Sequence, residues 1–367
     1  MNWQKPQNGK CAARRRAMKT QTYNIFRKRM LNKARDKGFP LLMIFELTYR
    51  CNFKCKHCYL PAAYKKKRGE LKTKEIFTIL DQLKDTGCLY LRFTGGEPFM
   101  RKDIMDILRY AKKRGFELII YTNGSLIDER MVGELTALRP DIEITIPAMS
   151  KSVFERISGV VGSRNRVFNS TRLLHKKGAS LRLKTCALKA NEEEIKDIRD
   201  FAASLKIPYE FDAMVLPQLN GSRKPYRYRT RKIEDMIQME KVDLNRDTTY
   251  SWVPDTGDLF NCGAGQMKAA ITPRGWLKTC VNIDKPIFNI LESSFRNAWE
   301  DLKRFVGSIK PGDDHRCAKC ELKLYCAWCP GMSWLENRNS TGCNLQCRHF
   351  AESRKKNQKQ IYRGDDK

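Results

Sequence analysis

Between residues 41 and 216 short β-rich runs alternate with amphipathic helical ones, and this alternation limits the possible folds more than any other feature of the chain. The strand runs fall at residues 41–48, 89–93, 117–121, 141–146, 181–186 and 209–215. The helical runs fall at 73–86, 103–114, 128–138, 165–177 and 191–205. Asn191, with Glu194 three residues later, reads as a capping box that opens the last of these. Strands separated by helices favour parallel βα units, because a parallel pair needs a crossover long enough to hold a helix. Six such units fit an open doubly wound sheet or a partial barrel, and periodicity does not separate the two. A length of 367 residues leaves room for a second, smaller domain.

Composition narrows the class. A hydrophobic fraction of 41% supports a sizeable core. No apolar run approaches a membrane span, and no secretory segment opens the chain, so a cytoplasmic protein is expected. Residues 1–40 form a basic arm, with twelve Lys/Arg and one acid, Asp36. A helix-like stretch at 23–37 stops at Gly38 and Pro40. Residues 217–261 read as a basic linker, with six cations and no acid in 221–232. Residues 262–350 hold eight cysteines with little periodicity and read as a small metal-held domain. Residues 351–367 read as a mobile polar tail.

Fourteen cysteines without an export signal point to metal rather than to a disulfide framework. Cys51, Cys55 and Cys58 form C-x3-C-x2-C directly after the first strand. Thiolates at that spacing can converge on one face of an iron–sulfur cube and leave one iron open. A zinc site is the plainer alternative, although such sites are usually closed by paired C-x2-C units. Arg92-Phe93-Thr94-Gly95-Gly96-Glu97-Pro98 ends the second strand, and Thr122-Asn123-Gly124 ends the third. Two glycines let backbone approach a ligand closely, and the Glu97 carboxylate can face an ammonium group. All three motifs sit at C-terminal strand ends, where parallel βα folds gather their sites.

These motifs resemble those of the radical S-adenosylmethionine (radical SAM) enzymes. Cys51, Cys55 and Cys58 match the C-x3-C-x-aromatic-C motif, with His57 in the aromatic position, and residues 95–98 match GGEP. The resemblance covers roughly residues 40–216. It implies an α/β fold, a partial (β/α)6 TIM-like barrel followed by a small cysteine-rich iron–sulfur domain. It also implies a [4Fe–4S] cluster whose open iron chelates the methionine part of S-adenosylmethionine. By the same resemblance Glu97 and the Gly95–Gly96 backbone orient the methionine amine, Asn123 and Thr145 meet the ribose, and Tyr59 holds the adenine. The family's glycine-containing fifth-strand adenine motif has no match around Lys184. No residue stands out as the catalytic base; Asp212 reads as structural.

Downstream, Cys262 is followed by twelve residues, Gly275, four residues and Cys280; Cys317-x2-Cys320-x5-Cys326-x2-Cys329 and Cys343-x3-Cys347 come next. The pattern is similar to the SPASM extension of radical SAM enzymes, which houses auxiliary [4Fe–4S] clusters. It departs in the Cys326–Cys329 spacing and in offering two candidates for the last ligand. By resemblance one auxiliary cluster uses Cys317, Cys320, Cys326 and one of Cys343 or Cys347. The other uses Cys262, Cys280, Cys329 and the remaining one. C-x2-C pairs are shared with zinc ribbons, which remain the alternative. Two closed clusters are expected to carry electrons rather than grip substrate. Cys88 and Cys186 read as small core hydrophobes and Cys11 as an idle thiol.

The implied activity is reductive cleavage of S-adenosylmethionine and hydrogen abstraction from a peptide or protein substrate, with a reducing partner such as ferredoxin or flavodoxin. A tetrapyrrole or amino sugar is the alternative substrate, and a non-enzymatic iron–sulfur or nucleic-acid-binding protein is the third reading. The formal charge of +30 reads first as a solvated basic surface, next as an attraction for an anionic partner such as an acidic peptide, with nucleic acid the weakest choice.

Overall fold

The structure, a computed structural model, describes residues 29–66, 69–243, 259–311 and 315–362. Cys11, most of the basic arm and part of the basic linker lie outside them. The six expected strands form as β1 (Leu42–Thr48), β2 (Tyr90–Gly95), β3 (Glu117–Thr122), β4 (Asp141–Thr145), β5 (Ser180–Cys186) and β6 (Tyr209–Asp212). Between them lie α1 (Thr73–Asp85), α2 (Ile104–Lys113), α3 (Glu129–Leu138), α4 (Lys151–Ser158), α5 (Ser163–Lys176) and α6 (Ile195–Ser204). Neighbouring strands are parallel and follow chain order from β1 to β6. A doubly wound sheet reverses its strand order partway. This one does not, so right-handed crossovers keep the helices on one face and the winding is that of a partial barrel.

The strand pleat explains the layering. Met43, Phe45, Leu91, Phe93, Leu118, Ile120, Ile142, Ile144 and Leu183 alternate along their strands and are buried in one core with Ile76, Ile79, Leu83, Ile107 and Leu108 of α1 and α2. Asp128 caps α3 by accepting from the Met131 amide at 2.8 Å. The capping box expected at Asn191 does not form. Glu194 instead accepts from the amides of Met149 and Ser150, and Asn191 donates to the carbonyls of Pro147 and Cys186. Tertiary partners took both side chains, and α6 starts only at Ile195.

The C-terminal third extends the same sheet. β7 (Lys268–Ile271) pairs in parallel with β1, and β8 (Trp276–Lys278) and β9 (Phe288–Asn289) continue antiparallel, giving nine strands. Around them lie α7 (Ile233–Asp243), α8 (Ile290–Ser293), α9 (Phe295–Ser308), α10 (Pro330–Asn337) and α11 (Leu345–Tyr362). Residues 351–362, expected as a mobile tail, therefore continue a helix. Phe350 is buried beside Met236 and Ile237 of α7, and Gln238 donates to Asn357 at 2.9 Å. The basic run 221–232 is also tied down. Tyr226 and Arg223 donate to Glu336, and Arg229 donates to the Val215 carbonyl. Among the described residues no helix is long and apolar enough to cross a membrane.

One ion pair joins the two parts of the sheet. Lys278 on β8 lies 3.0 Å from Glu46 on β1, with side-chain exposures of 2% and 0%. Tyr49 and Tyr59 donate to the same carboxylate, and Lys278 donates to the Val281 carbonyl. Breaking one side of a buried pair leaves the other charge uncompensated. Lys278→Met is therefore expected to lower stability by about 3–5 kcal/mol in chemical denaturation. The double variant Glu46→Gln with Lys278→Met should recover most of that loss.

Candidate functional site

The C-terminal ends of the parallel strands surround a cavity of about 380 Å³. Cys51, Cys55 and Cys58 border it from the loop after β1, with Gly95 and Gly96 after β2 and Asn123 after β3. Thr145, Cys186 and Leu216 close the side formed by the later strands. The structure thus brings the first-cluster cysteines, both glycines, Tyr59, Asn123 and Thr145 to one place. It also brings Cys186, expected in the core. As the last residue of β5 it shares the pleat of Lys184, opposite the buried Leu183. That parity was readable; the apolar character of cysteine masked it. Cys88 lies in the core.

Backbone geometry holds the cysteine loop in place. The Gly96 and Glu97 amides donate to the carbonyls of Thr48 and Arg50 at 2.7 and 2.8 Å. This continues β1–β2 pairing beyond the sheet. A Cβ on Gly95 would sit 2.1 Å from the Thr48 carbonyl oxygen, and one on Gly96 2.2 Å from that of Arg50. Gly95 also has a φ of 134°, which side chains disfavour. The glycines are required because two backbones meet there, immediately before Cys51.

Glu97 is fully buried. Its oxygens accept from the Thr122 hydroxyl at 2.7 Å, the Asn123 amide at 2.7 Å and the Phe99 amide at 3.2 Å. Through these bonds Glu97 orients the Asn123 loop. Asn123 in turn donates to Asn52 at 2.9 Å and approaches the Cys51 sulfur at 3.9 Å. Tyr59 lines the cavity with its ring while its hydroxyl is held by Glu46. Asp212 accepts from the Met214 amide, a structural role.

Electrostatics at the loop suit a group that brings its own positive charge. Burial raises the Cys51 thiol, and burial together with the charges of Cys58 and Cys51 pushes Cys55 up to about 12. Burial, helped by Lys65, lowers His57 to about 4, so its imidazole is neutral. Metal coordination deprotonates such thiols. Among the described residues no three His, Cys, Asp or Glu side chains close on a single-ion centre. The first three thiols instead border a cavity, which fits a cluster bound along one face and a ligand beside it.

The other cysteines fall into two neighbourhoods. Burial and the charges of Cys329 and Cys262 raise Cys280 to about 12. Burial and the charges of Cys326, Cys343 and Cys320 raise Cys317 to about 12. Cys347 is buried between the two, its sulfur 3.5 Å from the Ala327 carbonyl and 3.9 Å from the Met332 sulfur. All thirteen described cysteines are free thiols.

Burial raises Glu97 from 4.5 to about 7. The folded state then holds this proton more tightly than the unfolded chain, so stability falls as pH rises from about 4.5 to about 7. Glu97→Gln is expected to flatten that fall in melting temperature against pH. An unchanged slope would show that Glu97 is not its source.

Known proteins resemble this chain in sequence and in fold. Residues 45–202 match the Radical SAM superfamily. Over 334 residues the chain is 25% identical to the AdoMet-dependent heme synthase of Methanosarcina barkeri (strain Fusaro / DSM 804), covering 80% of this chain and 92% of that protein. It is 28% identical over 302 residues to the PqqA peptide cyclase of Gluconobacter oxydans (strain 621H), covering 77% and 83%. Its fold is similar to that of Streptococcus suis SuiB bound to S-adenosylmethionine, with a TM-score of 0.68 and 19% identity over 85% of this chain and 78% of the other. Residues 45–202 therefore form a radical SAM domain, which marks the chain as an enzyme and implies a [4Fe–4S] cluster and S-adenosylmethionine.

Proposed function

We propose that this enzyme cleaves S-adenosylmethionine reductively and removes a hydrogen atom from a peptide or protein substrate. The observation that carries the first half is the meeting of Cys51, Cys55 and Cys58 with Gly95 and Gly96 around one cavity. The three thiols would hold the cluster. When bound, the reduced cluster supplies the electron that splits the sulfonium into methionine and a 5′-deoxyadenosyl radical. The Gly95–Gly96 backbone would meet the methionine end of S-adenosylmethionine, Asn123 and Thr145 its ribose, and Tyr59 its adenine. The apolar wall of Ile157, Val215 and Leu216 excludes water from the reacting carbon.

Similarity to a peptide cyclase supports the peptide substrate. A tetrapyrrole is the second reading, favoured by the match that spans 92% of a heme synthase. In the cysteine-rich segment, Cys317, Cys320, Cys326 and Cys343 would hold one auxiliary [4Fe–4S] cluster. Cys262, Cys280 and Cys329, with Cys347 from α11, would hold the other. Two four-thiolate clusters have no open iron, so their role is to pass electrons, and a small electron donor such as ferredoxin or flavodoxin would serve the enzyme.

The test is anaerobic reconstitution with reductant and S-adenosylmethionine. We expect 5′-deoxyadenosine from the wild type and none from Cys58→Ala, which should keep its auxiliary iron. Absence of product from the fully loaded wild type would sink the proposal. For the ligand sets, Cys343→Ala and Cys347→Ala are each expected to remove or alter a different auxiliary signal in electron paramagnetic resonance. If both perturb the same signal, the partition is wrong.

A further inference from the structure

The face of the sheet opposite the helices is charged. Thr94, Thr145 and Cys186 line the cavity, and Arg92, Glu143 and Lys184 lie two residues before them on β2, β4 and β5. With side chains alternating, each therefore shares the cavity-facing side, about 7 Å further down the strand. On the β4–β6 side the charges are matched. Lys184 lies 2.7 Å from Glu143 and 3.5 Å from Glu210, and Arg182 pairs with Glu210. Two cations thus meet two carboxylates.

Arg92 is the exception. Its cross-strand neighbours are Ile44 on β1 and Ile119 on β3, neither of which can pair with it. Its guanidinium carbon lies 5.9 Å from the ring centre of Tyr121, a residue that lines the cavity. Among the described residues no carboxylate lies within ion-pair distance and no acceptor takes a hydrogen bond from it, and its Nε is buried without a partner. A partly buried guanidinium without an anion is unfavourable unless a ligand supplies one. Its planar fork matches a carboxylate in two-pronged fashion.

We infer that Arg92 receives a carboxylate of the substrate, so that the enzyme takes molecules carrying an ionised carboxylate close to the carbon that loses hydrogen. This rests on the cavity being the radical site. The shared chemistry covers an acidic side chain of a peptide and a propionate of a tetrapyrrole. Arg92 selects the substrate, and Tyr121 holds the guanidinium from the side.

Two pairs of probes test this on the reconstituted enzyme with S-adenosylmethionine bound. One pair is a short blocked peptide containing Glu and the same peptide with Gln. The other is a porphyrin with free propionates and its methyl ester. The wild type is expected to prefer the carboxylate member of one pair at least tenfold, and which pair identifies the source. Arg92→Gln should abolish that preference by weakening the carboxylate member alone. Arg92→Lys, which keeps the cation, should retain part of it. The inference is overturned if the wild type discriminates in neither pair, or if the preference survives Arg92→Gln. It is equally overturned if Arg92→Lys folds as the wild type does but loses the preference completely. 5′-Deoxyadenosine formation is scored separately. Its absence with the carboxylate preference intact would remove the radical reading and leave the carboxylate site standing.

Discussion

Two backbone hydrogen bonds, from Gly96 to Thr48 and from Glu97 to Arg50, decide where the chemistry can sit. They extend the β1–β2 ladder past the end of the sheet, so the segment entering Cys51 is held as firmly as a strand. Any Cβ at Gly95 or Gly96 would collide with that segment. The two glycines and the three cysteines are therefore one structural unit. Glu97 completes it from beneath by fixing the Thr122–Asn123 turn, and Asn123 reaches back to Asn52 and the Cys51 sulfur. A buried carboxylate with three donors orients its partners.

The second constraint is the Glu46–Lys278 pair. Glu46 receives the hydroxyl of Tyr59, next to Cys58, while Lys278 grips the Val281 carbonyl, next to Cys280. The loops that carry the two sets of cysteines are thus held to one another through a single buried ionic network. With β7 paired to β1, the sheet runs on from the barrel strands into the cysteine-rich segment.

Much of this was legible in the sequence. Hydrophobic alternation placed all six parallel strands within a few residues, because each buries one face against helices and so carries a period-two signal. Gly95-Gly96 and the first cysteine motif picked out residues that border one cavity. Three things were not legible. The roles within Gly95-Gly96-Glu97 depend on where Thr48, Arg50 and Thr122 lie in space. β7–β9 are two to four residues long, and although the turn residues Pro273-Arg274-Gly275 mark the β7–β8 hairpin in the sequence, its parallel docking on β1 leaves no periodic signal. The helix over residues 345–362 looks polar because, among its described side chains, the buried set mixes Phe350 and Ala351 with Gln346, Cys347 and Asn357.

A closed eight-stranded barrel fills its interior with branched apolar side chains. Here the corresponding face carries Arg92, Tyr121, Glu143, Lys184 and Glu210, several of them part-exposed. Six parallel strands do not close by themselves, and β7 to β9 prolong the sheet at the β1 edge instead of sealing it. Water can therefore reach a surface that would otherwise be core, which makes buried charge affordable there. The same opening gives a bulky substrate a way to the cavity. Openness and polarity then have one cause. Within this surface the charges of β4 to β6 neutralise one another, so selection between substrates falls to the end where they do not, at β2.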